Sequence, residues 1–182
     1  APVEAVHLER VGVPAGVDEE RQPRVVFSDS TESVFLADLS GDGLTDIVRV
    51  RNGDVSYWPN LGYGLFGARV AMNNAPHFEA RDAFDARRVR LADVDGSGTS
   101  DIVYFSHRGA RLYFNQSGNG WSQAHELEGF PGVDSCSSAQ VIHLLGNGTA
   151  CLVWSTSSPG AAGRRMRYND LMGRNKPDLP IQ

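Results

Sequence analysis

Short runs rich in Val, Ile, Phe, Tyr and Trp alternate along this chain with clusters of Gly, Asn and Asp. Residues 33–37, 46–51 and 54–59 each read as a short strand bounded by turn residues. Arg51-Asn52-Gly53-Asp54 is a two-residue hairpin signal, because Asn and Gly accept positive φ. Arg108-Gly109 stands at the same place further on. Fourth strands fit residues 68–73 and 122–127, and residues 78–88 (FEARDAFDARR) read as a link with room for a helical turn. Residues 1–30 carry Pro2, Pro14 and Pro23 and read as a linker or edge strand, with strand candidates at 3–8 and 24–27.

The strand pattern repeats. LADLSGDGLTDIVRVRNGDVSYWPNLGYGLFG begins at Leu36, and LADVDGSGTSDIVYFSHRGARLYFNQSGNGWS begins at Leu91. Asp38 and Asp46 match Asp93 and Asp101, and Asn60 matches Asn115. A third copy, VIHLLGNGTACLVWSTSSPGAAGRRMRYND, begins at Val141, with His143 at the first Asp position and Asn169 matched to Asn60 across four extra residues in the 159–165 turn. Repetition of four short antiparallel strands is the plan of a β-propeller blade. The expected fold is all-β: a propeller fragment of three blades at about 31–80, 85–130 and 135–182, half of a six- or seven-bladed ring. A β-sandwich is the alternative, but it requires no repeat.

The first two copies share an acidic loop. Asp38, Ser40, Asp42 and Asp46 place oxygens at loop positions 1, 3, 5 and 9, and Asp93, Asp95, Ser97 and Asp101 do the same. Leu44 and Thr99, at position 7, offer backbone carbonyls. Alternate spacing lets a curled loop aim every second residue at one centre, and a glycine at position 6 permits the turn. Such an all-oxygen set suits Ca²⁺ better than Mg²⁺, which keeps its waters. Strands flank the loop, and Arg49 and Tyr104 stand where an EF-hand has its Glu. Asp-Gly loops are also common surface turns, so the spacing gains weight from occurring twice. In the third loop, residues 143–151, His143, Leu145 and Cys151 replace the oxygens. That loop is expected to be metal-free and held by packing of Leu144, Leu145, Cys151 and Leu152.

Composition narrows the rest. The chain has 182 residues, 17 basic and 22 acidic, for a net charge of −5, and no basic patch that would suit nucleic acid. The longest apolar run, residues 150–154, is too short to cross a membrane as a helix. Glycine, at 20 residues, fits many short elements joined by turns. The two acidic loops hold six aspartates, so most of the net charge is a loop feature. Cys136 and Cys151 read as two buried thiols rather than a disulfide. No HExxH, G-x-S-x-G or dinucleotide fingerprint is present, so the chain is read as no enzyme. Tyr57, Trp58 and Tyr113 recur at one point of the repeat and could stack on sugars, although packing between blades accounts for them as well.

The loops followed by Ile-Val resemble the FG-GAP or VCBS repeats of integrin-like propellers. The wider strings VFLADLSGDGLTDIVRVRNGDVSYWPNLGYGLFG, RLADVDGSGTSDIVYF, RLYFNQSGNGWS, LLGNGTACLVWS and MRYNDLMGRNKP are similar to the middle region of the B component of bacterial Tc insecticidal toxin complexes, the SpvB/TcdB-like family, over residues 25–182. The resemblance implies a propeller that docks on a pore-forming component and gates release of a toxic cargo from a shell of Rhs-type repeats. It implies a secreted bacterial toxin component, cytoplasmic before release, that associates with other Tc components or the rest of its own component. It carries the metal positions over to Asp38, Ser40, Asp42 and Asp46 and to Asp93, Asp95, Ser97 and Asp101. Three blades leave two blade faces without neighbours, so a homodimer closing the ring is expected. A stand-alone Ca²⁺-dependent propeller lectin is the other reading.

Overall fold

The computed structural model describes residues 6–7, 25–26, 32–80, 83–127, 130, 139–146, 149–155 and 166–172. The chain from Glu32 onward builds three antiparallel sheets in sequence order. The first contains β3 (Glu32–Ala37), β4 (Asp46–Arg51), β5 (Asp54–Trp58) and β6 (Val70–Ala71), paired in that order. The second contains β7 (Val89–Ala92), β8 (Asp101–Ser106), β9 (Gly109–Tyr113) and β10 (His125–Leu127), again in order. The third pairs β11 (Ala139–Ile142), β12 (Cys151–Ser155) and β13 (Met166–Asp170). A fourth strand of that sheet, the 159–165 turn and Cys136 lie outside the described residues. Ahead of them β1 (Val6–His7) pairs antiparallel with β2 (Val25–Val26), inside both strand candidates of the linker.

Each sheet is a meander, and the first strand of each lies beside the first strand of the next: β3 against β7, and β7 against β11. The sheets therefore stack face to face around their inner strands, as propeller blades do. The core is the filling between them. Val48, Val50, Val55 and Tyr57 of the first sheet meet Val89, Ile102, Tyr104 and Tyr113 of the second. Val103, Phe105 and Leu112, on the other face of the second sheet, meet Ala139, Leu152 and Trp154 of the third. The second sheet is buried on both faces, which explains why its strand Asp101–Ser106 is buried throughout. Burial of each large side chain such as Trp121 or Phe78 contributes roughly 1.5–3 kcal/mol.

The link between the first two blades is more than a tether. Phe78 packs fully buried among Phe84, Tyr104 and Tyr113, at ring-centroid distances of 5.5, 4.8 and 5.6 Å. The expected helical turn is a short 3₁₀ helix, Ala86–Arg88, capped by the Asp85 carboxylate accepting from the Arg87 amide. The Arg87 side chain bonds the same carboxylate and holds its pKa below the ordinary range.

Strand register corrects one alignment. Asn169 pairs with Leu152 as Trp58 pairs with Ile47 and Tyr113 with Ile102. Asn169 is thus the counterpart of Trp58, and Leu171 stands where Asn60 does. The insertion is six residues rather than four, because Tyr168 rather than Met166 faces Val153 in the row that joins Tyr57 to Val48.

Candidate metal loops at the blade seam

Strand pairs of identical register open the three loops: Ala37–Asp46, Ala92–Asp101 and Ile142–Cys151. The position-9 side chain lies at the base of each loop and is fully buried. Asp46 Oδ2 accepts from the Leu39 and Ser40 amides at 3.0 and 3.2 Å, and its Oδ1 accepts from the Asn60 amide at 2.9 Å. Asp101 accepts from the Val94 amide at 2.9 Å and the Asn115 amide at 2.8 Å. These carboxylates tie the loop to the turn after the third strand. Their second task, beyond any ion, is to satisfy buried backbone donors. Burial pushes the Asp101 carboxyl up to about 6; the two amides oppose this, and Asp95 and Asp93 add to it.

Position 1 organises the exposed part of the loop. Asp38 accepts from the Gly41 and Gly43 amides, both at 2.7 Å. Asp93 accepts from Gly96 at 2.8 Å, Ser97 at 3.1 Å and Gly98 at 2.9 Å. Gly41, Gly43, Gly96 and Gly98 all have positive φ, which lets successive amides turn inward.

The two loops differ as ion sites. Carboxylate oxygens of Asp93, Asp95 and Asp101 lie within 4.8 Å of one another, and among the described residues this is the one such triad. Oxygens so spaced can share an ion held at about 2.3–2.6 Å from each, so the donor set fits Ca²⁺. Ser97 Oγ lies 3.0 Å from Thr99 Oγ1 within the same loop. Asp38, Asp42 and Asp46 are not gathered in this way. Their middle carboxylate stands at position 5, bonded to the Leu44 amide at 2.8 Å, while position 3 is Ser40, whose hydroxyl donates to Asp38 at 3.3 Å. Leu44 is exposed and Thr99 buried.

In the third loop Cys151 takes the place of Asp46. Burial pushes its thiol pKa up, Asp170 adds to the rise, and the Leu144 and Leu145 amides, counterparts of Leu39 and Ser40, pull it down. The thiol is free and buried. Packing of this loop is narrower than expected: Cys151 and Leu152 are buried, but Leu144 and Leu145 are exposed, because no following blade covers them among the described residues.

Tyr57, Trp58 and Tyr113 are all buried, so they do not offer rings to a sugar. Tyr57 and Tyr113 fill the seam between the first two blades, and Trp58 packs on Ile47 with the Arg49 guanidinium 5.8 Å from its ring centre.

That seam is where loop and blade meet, and it escaped sequence reading. The Ser100 amide donates to the Asp38 carbonyl at 2.8 Å. The Asn115 side-chain amide donates to Leu39 O at 3.0 Å and Ser100 O at 3.2 Å. Tyr57 donates to Gly118 O at 3.3 Å, and Asn73 exchanges backbone bonds with Asn119 and Trp121. Most of these contacts use main chain, which leaves little mark on residue type.

No family model and no curated protein matches the chain. Among solved structures, TcdB2-TccC3 is 32% identical over 79% of this chain, with a TM-score of 0.69. The Photorhabdus luminescens Tc holotoxin pore is 29% identical over 78% of this chain, with a TM-score of 0.64. The chain spans only 7% and 6% of those two chains. A lectin from Agrocybe aegerita that recognises non-reducing terminal N-acetylglucosamine is 21% identical over 76% of this chain and 35% of its own, with a TM-score of 0.55, a likeness of fold alone.

Proposed function

We propose that this Tc toxin B-component-like region is a non-catalytic, Ca²⁺-stabilised propeller scaffold, which docks other Tc components and takes part in gating toxin release from a secreted assembly. The observation that carries the reading is the 32% identity to TcdB2-TccC3 over 79% of the chain. The triad of Asp93, Asp95 and Asp101 supports the calcium part: three clustered carboxylates repel one another, and a bound divalent cation reverses that sign. The loop of Asp38, Ser40, Asp42, Leu44 and Asp46 is the weaker of the two sites. Because the loops lie at the blade seam, an ion there stiffens the contact between blades.

The docking part is tested by immobilising this chain and passing a pore-forming Tc component over it. Saturable, calcium-sensitive binding supports the reading. Absence of binding in calcium, with the chain folded, overturns it.

The fold likeness to the Agrocybe aegerita lectin keeps a glycan-binding reading in view. It would need residues other than Tyr57, Trp58 and Tyr113, which are buried. A glycan array decides: clean, competable sugar binding favours the lectin.

A further inference from the structure

Asn is followed by Gly at three places in the chain: Asn52-Gly53, Asn119-Gly120 and Asn147-Gly148, the last outside the described residues. Asparagine is a thermolabile residue. A following glycine puts no side chain in the way of its own amide nitrogen as that nitrogen approaches the asparagine side chain. The fold treats the two described pairs in opposite ways. Asn52 is held at both ends: its Nδ2 donates to Glu79 O at 2.8 Å, and its Oδ1 accepts from the Phe78 amide at 2.8 Å. The Gly53 amide is engaged as well, donating to Pro76 O at 2.8 Å. Asn119 is exposed, and its side chain is held at one end, where Nδ2 donates to Ser117 O at 2.9 Å. Its loop stands at the seam of the first and second blades, both of which lie within the chain. There Asn73 bridges Gly120 in parallel fashion: the Asn73 amide donates to Asn119 O at 2.9 Å, and the Trp121 amide donates to Asn73 O at 3.1 Å. That alternation turns the Gly120 amide away from Asn73, and it donates to no acceptor among the described residues.

We propose that Asn119-Gly120 is a self-modification site, at which the main chain converts Asn119 to iso-aspartate and loosens the seam between the first two blades. The Gly120 nitrogen attacks Asn119 Cγ and gives its proton to water. A C–N bond forms, the Cγ–Nδ2 bond breaks, and Nδ2 takes a proton from water to leave as ammonia. The product is a five-membered imide. Water then opens the ring at the Asn119 main-chain carbonyl: its hydroxyl stays on that carbon, its other hydrogen goes to the Gly120 nitrogen, and the chain runs on through Cβ and Cγ. Opening at Cγ instead gives ordinary aspartate. In iso-aspartate the former Asn119 carbonyl is a free carboxylate beside the main chain, and one methylene is added before Gly120. The Asn73 amide and carbonyl then lose the pair of partners set one residue to either side of Gly120. Gly120 has no slack to absorb the change, since even a Cβ on it would meet Asn73 O at 2.9 Å. Neither calcium nor docking enters this step.

Peptide mapping by mass spectrometry tests it, on the intact chain kept at pH 8 and on the same chain kept in urea. In urea the Asn52 and Asn119 peptides are expected to deamidate alike. In the folded chain the Asn52 peptide is expected to fall behind Asn119 by about tenfold or more, because its reacting groups are held in other bonds and the step depends on their proximity. The converted Asn119 peptide is expected to accept a methyl group from isoaspartyl methyltransferase. The converted chain is expected to melt below the fresh one. Asn119→Gln, whose longer side chain closes an imide ring far more slowly, is expected to keep its melting temperature through the same treatment. An Asn119 peptide that stays unconverted in the folded chain, an Asn52 peptide that keeps pace with it there, or a converted chain that melts like the fresh one would each overturn the proposal. So would an Asn119→Gln chain that loses as much in melting as the parent.

Discussion

Asp38 and Ser100 join the two acidic loops directly: the Ser100 amide donates to the Asp38 carbonyl at 2.8 Å across the seam between the first two blades. The residue that opens the first loop therefore also anchors the second, and disturbance of either loop reaches the blade interface.

Gly118 lies at the closest approach of this seam. A Cβ there meets the Tyr57 hydroxyl at 2.8 Å and the Leu39 carbonyl at 3.2 Å, at a φ of +75°. Gly64 has the same φ of +75° with nothing within 4 Å of a Cβ. Gly64→Ala is expected to lose about 1 kcal/mol from backbone strain alone. Gly118→Ala is expected to lose roughly 1–3 kcal/mol more from overpacking. Urea unfolding of the two variants side by side measures the difference, and equal losses would mean that the seam is loose.

Asp101→Ala should be more damaging than any exposed loop substitution. It strips the partners from the Val94 and Asn115 amides, at about 1–3 kcal/mol for each donor left buried and unsatisfied. Denaturant melts of Asp101→Ala against Asp42→Ala, in chelator so that no ion contributes, should rank the buried aspartate well above the exposed one.

Most of the blade plan was legible because hairpin chemistry is local. The strand that the sequence predicts after the first loop, at 46–51, is β4 (Asp46–Arg51), and the one after Asn52-Gly53 ends at Trp58, one residue before the predicted end. The fourth strand of the first blade is the two residues Val70–Ala71, shorter than the 68–73 that the sequence predicts. Hidden from the sequence were contacts made by main chain, such as Asn73 with Asn119 and Trp121. Cys151 removes a ligand oxygen from the third loop, yet its thiol meets the Leu144 and Leu145 amides as Asp46 meets those of Leu39 and Ser40. The two acidic loops look equivalent by spacing, yet moving one carboxylate from position 3 to position 5 separates Asp93, Asp95 and Asp101 from Asp38, Asp42 and Asp46 as ion sites.

Phe78 is the wedge of the inter-blade link, so Phe78→Ala is expected to lose about 3–5 kcal/mol. Leu65→Ala, at an exposed loop position, should change stability by less than about 0.5 kcal/mol. Thermal melts of the pair check the contrast.

Cys151 should resist thiol reagents in the folded chain, because burial both shields it and raises its pKa. In a Cys136→Ser background, labelling at pH 8 is expected only when the chain is unfolded. Rapid labelling of the native chain would place the thiol at the surface instead.

The most direct test of the calcium-stabilised scaffold is the melting temperature in excess Ca²⁺ and in chelator, for the parent chain and for Asp95→Ala. A site filled at a hundred times its dissociation constant adds about 2.7 kcal/mol. The parent chain is therefore expected to melt several degrees higher in Ca²⁺, and Asp95→Ala to lose most of that gain while melting in chelator like the parent. A parent chain that melts at the same temperature in Ca²⁺ and in chelator would contradict the account.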